Sequence, residues 1–168
     1  MKNYELDNSP ELSTAGIDSL SSSDRMKFFE KFKELVEPIY GDQRLSIEKI
    51  DQAEDRSAAV AMAGNEMVGT LVYKNSLQSE YGVDDAFEIK TLGLFDADKN
   101  SGLGYATELM NIVLEKAQEL DARGVLVTVS ESRPEVVEFF KKNNFSIQEI
   151  LHDKYQPGVA EFVMMRGF

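Results

Sequence analysis

No cysteine and no tryptophan occur among the 168 residues, and histidine occurs once, at His152. A disulfide framework, a thiolate nucleophile and a cysteine-based zinc site are thereby excluded, and one imidazole is too few for a histidine-based site. The sequence predicts no metal. Basic residues are scarce too, 18 against 30 acidic ones, and the net charge of −12 repels a phosphate backbone instead of neutralising it. Nucleic acid is therefore not an expected partner. A membrane is not expected either: the opening segment MKNYELDNSPELSTAG has no apolar run of the signal-peptide kind, and no later stretch approaches the roughly 18 apolar residues of a span. A cytoplasmic location is the resulting expectation. The acidic surplus would attract cationic partners such as a polyamine, a lysine side chain or an aminoglycoside, although surface acidity more often serves solubility.

The chain has the length of one ordinary domain, and with 42% apolar residues, ten Phe and six Tyr it has the composition of a globular one. Residues 1–20 read as an irregular lead-in, apart from a short strand around Tyr4 to Leu6. A first helix starts after the cluster Ser21-Ser22-Ser23-Asp24, carries Met26, Phe29, Phe32, Leu35 and Val36, and is expected to end at Pro38 and Gly41. That amphipathic stripe reads as core contact. Residues 22–50 together form an N-terminal helical region, and 55–168 the remainder of the domain. Ser57 to Ala63 and Glu66 to Tyr73 are strand-like runs around the turn pair Gly64-Asn65, and Phe87 to Phe95 extends the same antiparallel sheet.

A long helix follows Asp96 to Gly104, with Leu103, Ala106, Leu109, Met110, Val113, Leu114, Ala117 and Leu120 on one face and Gly124 expected as its C-terminal cap. The branched run Val125 to Val129 predicts a strand buried on both faces in a parallel pairing. Ser132-Arg133-Pro134-Glu135 has the pattern of a capping box opening a helix to Asn143-Asn144. Phe145 to Ile150 and Glu161 to Met165 close the chain as strands, joined by a loop with Tyr155, Pro157 and Gly158.

Lys99-Asn100-Ser101-Gly102-Leu103-Gly104 stands between a strand and a helix, where free amides and the helix dipole suit an anion such as a pyrophosphate. The two glycines would let a phosphate come close to the backbone, though the same pair also makes an ordinary tight turn. No G-K-[ST] follows, and Thr107 stands where the longer dinucleotide fingerprint has its third small residue, so neither of those two motifs applies.

In its element order over residues 55–168 the chain resembles the GCN5-related N-acetyltransferases (GNAT). Lys99 to Gly104 is similar to that family's Arg/Gln-x-x-Gly-x-Gly/Ala motif, with Lys in the first place. Ser130 to Phe145 (SESRPEVVEFFKKNNF) is similar to its Asn-x-x-Ala-x-x-Phe-Tyr-x-x-x-Gly-Phe stretch. The resemblance implies an α/β (α+β) fold, a mixed and mostly antiparallel sheet of six to seven strands flanked by helices. It implies acetyl-coenzyme A as co-substrate and transfer of the acetyl group to a primary amine by direct attack in a ternary complex. A small-molecule, peptide or protein amine would be the acceptor, residues 22–50 would face it, and a homodimer stays open.

By the same resemblance the pyrophosphate would lie on the amides of Asn100, Ser101, Gly102, Leu103, Gly104 and Tyr105, with Lys99 beside it, and the pantetheine would pair with Leu92 to Leu94. Arg133 and Phe140 would touch the cofactor. Amine transfer needs a base and an acid for the leaving thiolate. Glu88, fourteen residues before Gly102, matches the general-base glutamate of the histone-modifying members, while its alternative reading is a strand carboxylate paired with Lys90. Phe140 replaces the family's tyrosine and has no proton to give, so Tyr155 stands as the candidate acid, with Tyr105 as a second. Phe140, together with Arg133 in place of asparagine, also fits a second reading, a non-catalytic acyl-coenzyme A binder or protein-interaction regulator.

Overall fold

Short branched segments build the scaffold, and their pairing decides where a ligand can enter. The structure is a computed structural model that describes residues 11–168; the strand expected at Tyr4 to Leu6 lies outside them. Seven strands form one sheet in the order β1-β2-β3-β4-β5-β7-β6. They are β1 (Leu12–Gly16), β2 (Arg56–Ala63), β3 (Glu66–Lys74), β4 (Ala86–Leu94), β5 (Gly124–Ser130), β6 (Ser146–His152) and β7 (Ala160–Gly167). Every neighbouring pair is antiparallel except β4 and β5, and helices flank both faces, which is the mixed, mostly antiparallel architecture expected.

Helices α4 (Tyr105–Glu119) and α5 (Pro134–Lys142) cover one face, where Met110, Val113 and Phe140 pack on Leu71, Phe87, Ile89 and Val127. On the other face α1 (Ser22–Tyr40) and α2 (Arg44–Asp51) place Phe28, Phe32, Val36 and Ile50 on Ala58, Val60 and Val72. Leu71 and Val72 belong to opposite cores because successive strand residues point to opposite faces.

Several local expectations are corrected. The irregular lead-in contains β1, which pairs with β2 from Leu12 to Gly16 and draws its order from that ladder rather than from apolar alternation of its own. Pro38 does not end α1: it sits in the last turn, and Gly41, at φ 75°, is the cap whose N–H donates to Glu37. Met26 is 68% exposed, and Phe28 fills the core in its place. Gly124 begins β5 instead of capping α4, whose end is followed by Asp121 at φ 54°. The capping box does not form, since α5 starts at Pro134 with Arg133 as its cap residue and the Ser132 hydroxyl pairs with that of Ser130 at 2.8 Å.

Candidate functional site

The parallel pairing of β4 with β5 runs only from Ala86–Gly124 to Ile89–Val127. At its end the β3–β4 register slips, Val72 facing Thr91 and Tyr73 facing Ile89, so that Lys90 is an extra residue that bends β4 away. Beyond it β4 continues on β3 to Leu94 while β5 continues on β7 to Ser130, and a cleft of about 370 Å³ opens between them. Its walls include Lys90 to Leu94, Val127 to Ser130, Leu35, Val36, Ile39 and Tyr40 of α1, Arg133 just before α5, and Val136 and Phe140 of α5. Leu92 and Leu94 thus lie on an open strand edge, where backbone groups no longer face a partner strand.

At one mouth of the cleft stands the glycine loop. The short helix α3 (Ala97–Asn100) precedes it, and there the expected cradle is narrower than the sequence implied. Amides of Lys99 and Asn100 donate to Asp96 O at 2.9 and 3.0 Å, and that of Ser101 to Ala97 O at 2.9 Å, so these three are committed. The Asn100 side chain is buried and donates to Phe95 O at 2.7 Å, while Lys99 Nζ is 2.5 Å from Glu66 Oε1 and its pKa is raised by that carboxylate. From Gly102 to Thr107 no amide has a protein acceptor among the described residues; the first to find one is Glu108, on Gly104 O. Gly102 and Gly104 take φ 77° and 81°, and a Cβ at either would project into open space in front of these amides. Six free N–H groups at the positive end of a fifteen-residue helix make an anion cradle, displaced toward the helix from the anticipated one. Tyr105 is buried beneath it and Leu103 half-exposed above.

Glu88 and Tyr155 are not brought together. Glu88 is buried on the α1 face of the sheet, where Lys90 Nζ donates to its Oε1 at 2.6 Å and Lys74 Nζ lies 3.8 Å from its Oε2. Lys90 lines the cleft and Glu88 does not, because the bulge turns only the later residue toward it. Tyr155 is exposed in the β6–β7 loop, its hydroxyl 3.4 Å from that of Tyr81, and it too is absent from the cleft lining. Among the described residues Tyr155 and the cleft wall are thus joined only through Tyr40. Arg133 does line the cleft, with its Nε 2.5 Å from Glu135 Oε1, and Phe140 lies in the wall packed edge-on against Phe139 and Phe145. Asp96 is engaged by Lys31 at 2.9 Å, and His152 is exposed on β6. Among the described residues no group of acidic or histidine side chains is arranged to hold a metal, and no helix is long and apolar enough to cross a membrane.

Sequence reasoning missed the other end of the cleft. Ser130 and Tyr40 line it, and opposite Ser130 on β7 stands Glu161. Only 2% of Glu161 is exposed, and its Oε2 has no hydrogen-bond partner. Burial pushes its carboxyl up to about 7, the charge of Glu131 adds to this, and the Ser130 hydroxyl opposes it. Burial likewise raises the Tyr40 phenol to about 12, with Glu161 and Tyr155 adding to the rise and Arg133 and the Ser130 backbone opposing it. The β6–β7 loop ties this region to α1: Gln156 donates to the Ile39 carbonyl, and the rings of Tyr40 and Tyr155 meet edge to face with centroids 5.8 Å apart. A carboxylate interrupting the apolar run Ala160 to Met165 was the one available signal.

A family model described as "Acetyltransferase (GNAT) family" matches residues 22–145, more than half of the chain. No curated protein matches it in sequence. Among solved structures it is similar to Arabidopsis thaliana Naa50 in complex with the bisubstrate analogue CoA-Ac-MVNAL, at 19% identity and TM-score 0.70 over 94% of this chain and 99% of that one. A Bacillus subtilis acetyltransferase in complex with CoA is similar at 16% identity and TM-score 0.71, over 94% and 99% of the two chains. The aminoglycoside 6′-N-acetyltransferase from Enterococcus faecium is similar at 14% identity and TM-score 0.68, over 92% and 96%. At these identities the likeness speaks for the fold.

Proposed function

Because the chain belongs to the acetyltransferase (GNAT) family, we propose that it transfers an acetyl group from acetyl-coenzyme A to a primary amine in a ternary complex. One observation carries this reading: the six free amides of Gly102 to Thr107 stand at the mouth of the β4–β5 cleft, so a pyrophosphate on them would send a pantetheine arm along Leu92 to Leu94. Lys99, Asn100 and Ser101 shape that loop rather than donate their amides to the ligand. Arg133 and Phe140 border the arm. The thioester would then lie near the Lys90 bulge, where a backbone amide of the open β4 edge polarises its carbonyl. Glu88 serves here by holding Lys90 on the cleft wall, and the leaving thiolate takes its proton from the attacking amine, without help from Tyr155. The chain is read as one domain, with residues 22–50 on the acceptor side and 55–168 holding the coenzyme.

Relatives that carry a peptide-like analogue or act on an aminoglycoside fit an amine acceptor, and the net charge of −12 favours a cationic one. A second reading, an acyl-coenzyme A binder without turnover, draws on Phe140, which places a hydrocarbon ring in the wall where the family motif has a phenol.

Calorimetric titration with acetyl-coenzyme A tests the reading, alongside Gly102→Glu, which sets bulk and negative charge before the free amides. Binding by the wild type and its loss in the variant are expected. No binding by the wild type would sink the acetyltransferase reading, and binding without transfer to any amine in a screen would leave the second one.

A further inference from the structure

Two carboxylates are buried on the α1 face of the sheet, and their surroundings differ. Glu88 has two ammonium groups within 3.8 Å. Each has one buried oxygen without a hydrogen bond, but only Glu161 has no cation in an ion pair among the described residues. A buried carboxylate left in that state costs stability, so a fold retains it where something else supplies the missing partner. Glu161 faces the same side as Ser130, its register partner, since Val129 and Phe162, their neighbours, pack into the opposite core. Ser130, Tyr40 and Arg133 line the cleft, while Tyr155 lies outside the lining, edge to face with Tyr40 and with Lys154 Nζ 5.7 Å from its ring centroid. Glu161 itself is not in the lining: it stands on β7 directly behind the cleft wall, beside Ser130 in the ladder and near enough to Tyr40 for its charge to raise that phenol, so an unsatisfied carboxylate backs two polar groups that do face the cleft.

Resting on the acetyl-transfer reading, we propose that Glu161 acts on the ammonium group of the acceptor from behind Ser130 and, as general base, takes its proton through the Ser130 hydroxyl or one water. The step balances. The ammonium gives one proton to the Glu161 carboxylate, and the free amine attacks the thioester carbonyl carbon. The C–N bond forms, the C–S bond breaks, and the thiolate takes the second N–H proton. Glu161 then returns its proton to solvent. Its pKa of about 7 suits this task, because the carboxylate is basic enough to accept a proton yet largely ionised just above neutrality. The charged and titratable groups that act on it are Glu131 from the β5–α5 connection and Tyr40 from α1; Arg133 and Tyr155 act on Tyr40 in turn, and from β6 the facing residue is the apolar Leu151.

The test uses the full chain labelled with carbon-13 at the glutamate carboxyls, titrated by NMR with and without coenzyme A and 1,4-diaminobutane. One carboxyl is expected to titrate near pH 7, to be missing in Glu161→Gln, and to fall by roughly one pH unit when the diamine is present. Acetyl transfer to the diamine should drop on the order of 10²-fold or more in kcat/KM in that variant, lose its acidic limb, and recover in part in Glu161→Asp. A midpoint unmoved by the diamine while coenzyme A still binds would overturn the proposal, as would a Glu161→Gln variant with the wild-type pH profile. Should coenzyme A itself fail to bind, the acetyl-transfer reading falls instead; an amine-responsive Glu161 without turnover would leave an amine site on a non-catalytic protein and overturn the base role.

Discussion

Gly69 and Gly93 lie so close across the β3–β4 ladder that a Cβ on Gly69 would stand 2.6 Å from the Gly93 carbonyl oxygen. The side-chain methyls of Leu109 and Leu94 close the same spot at 3.2 and 3.3 Å, and while they can give a little, the Gly93 carbonyl belongs to the ladder and cannot swing aside. Gly69→Ala is expected to cost about 2–3 kcal/mol, a fall in Tm of roughly 4–12 °C in a chain of this size. Gly16→Ala, with nothing within 4 Å, should move Tm by little. Thermal unfolding followed by circular dichroism separates the two. Because Gly93 belongs to the open strand edge, the Gly69 variant should also weaken acetyl-coenzyme A.

Glu88 links Lys90 and Lys74 inside the protein, and removing its charge leaves two ammonium groups without their counter-ion. Glu88→Gln should therefore destabilise the fold by on the order of 2–4 kcal/mol, read by urea unfolding, and Glu88→Gln with Lys90→Met should recover part of that loss. A Glu88→Gln protein as stable as the wild type, yet inactive, would restore this residue to the catalytic role that its place in the chain suggested.

Glu161 makes the fold sensitive to pH in a direction opposite to that of an ion-paired carboxylate. Its folded pKa of about 7 lies above the ordinary 4.5, so the neutral form is the one that the fold favours. The stabilisation is full below the ordinary value and is lost as pH rises through 7. Glu161→Gln, neutral at every pH, should gain on the wild type by on the order of 1–3 kcal/mol between pH 5 and pH 8. Tm measured across that range checks it, and parallel curves for the two proteins would count against a buried titrating group.

Phe140 offers a direct comparison of the two functional readings. Phe140→Tyr adds a hydroxyl to a ring in the cleft wall, at a stability cost of about 1–2 kcal/mol where the new group lacks a partner. If thiolate protonation limits turnover, kcat should rise several-fold with KM nearly unchanged. Steady-state kinetics with the same diamine measures it.

The sequence showed most clearly those elements whose order is local. Residues Tyr105–Glu119 repeat apolar side chains at helical spacing, and Gly64-Asn65 dictates the tight turn that joins β2 to β3. Where long-range pairing decides, it was less legible. Residues 12–16 have no strand-like alternation and are a strand because β2 offers them an edge. Gly124 looks like a cap by its place after a helix, and only the approach of β7 shows why β5 starts there with no side chain. In the site, Gly102 and Gly104 were visible as a motif, but which amides are free depends on α3, a single turn that no periodicity announces. Glu161 could not be paired with the cleft in advance, since the match to Ser130 joins residues from distant parts of the chain.

The pairing that stops at Ile89–Val127 has a mechanical side. Strands β1 to β4 form one plate and β5, β7 and β6 another, and the seam between them is stitched over only four residue pairs at one end. Such a sheet resembles a hinged book whose spine covers part of its height, with helices α1 and α5 bracing the open side. Whatever lies in the gap along Leu92 to Leu94 takes the place of an absent length of spine. Ligand and protein would then share one structural element, and rigidity of the sheet would become a quantity that the substrate sets.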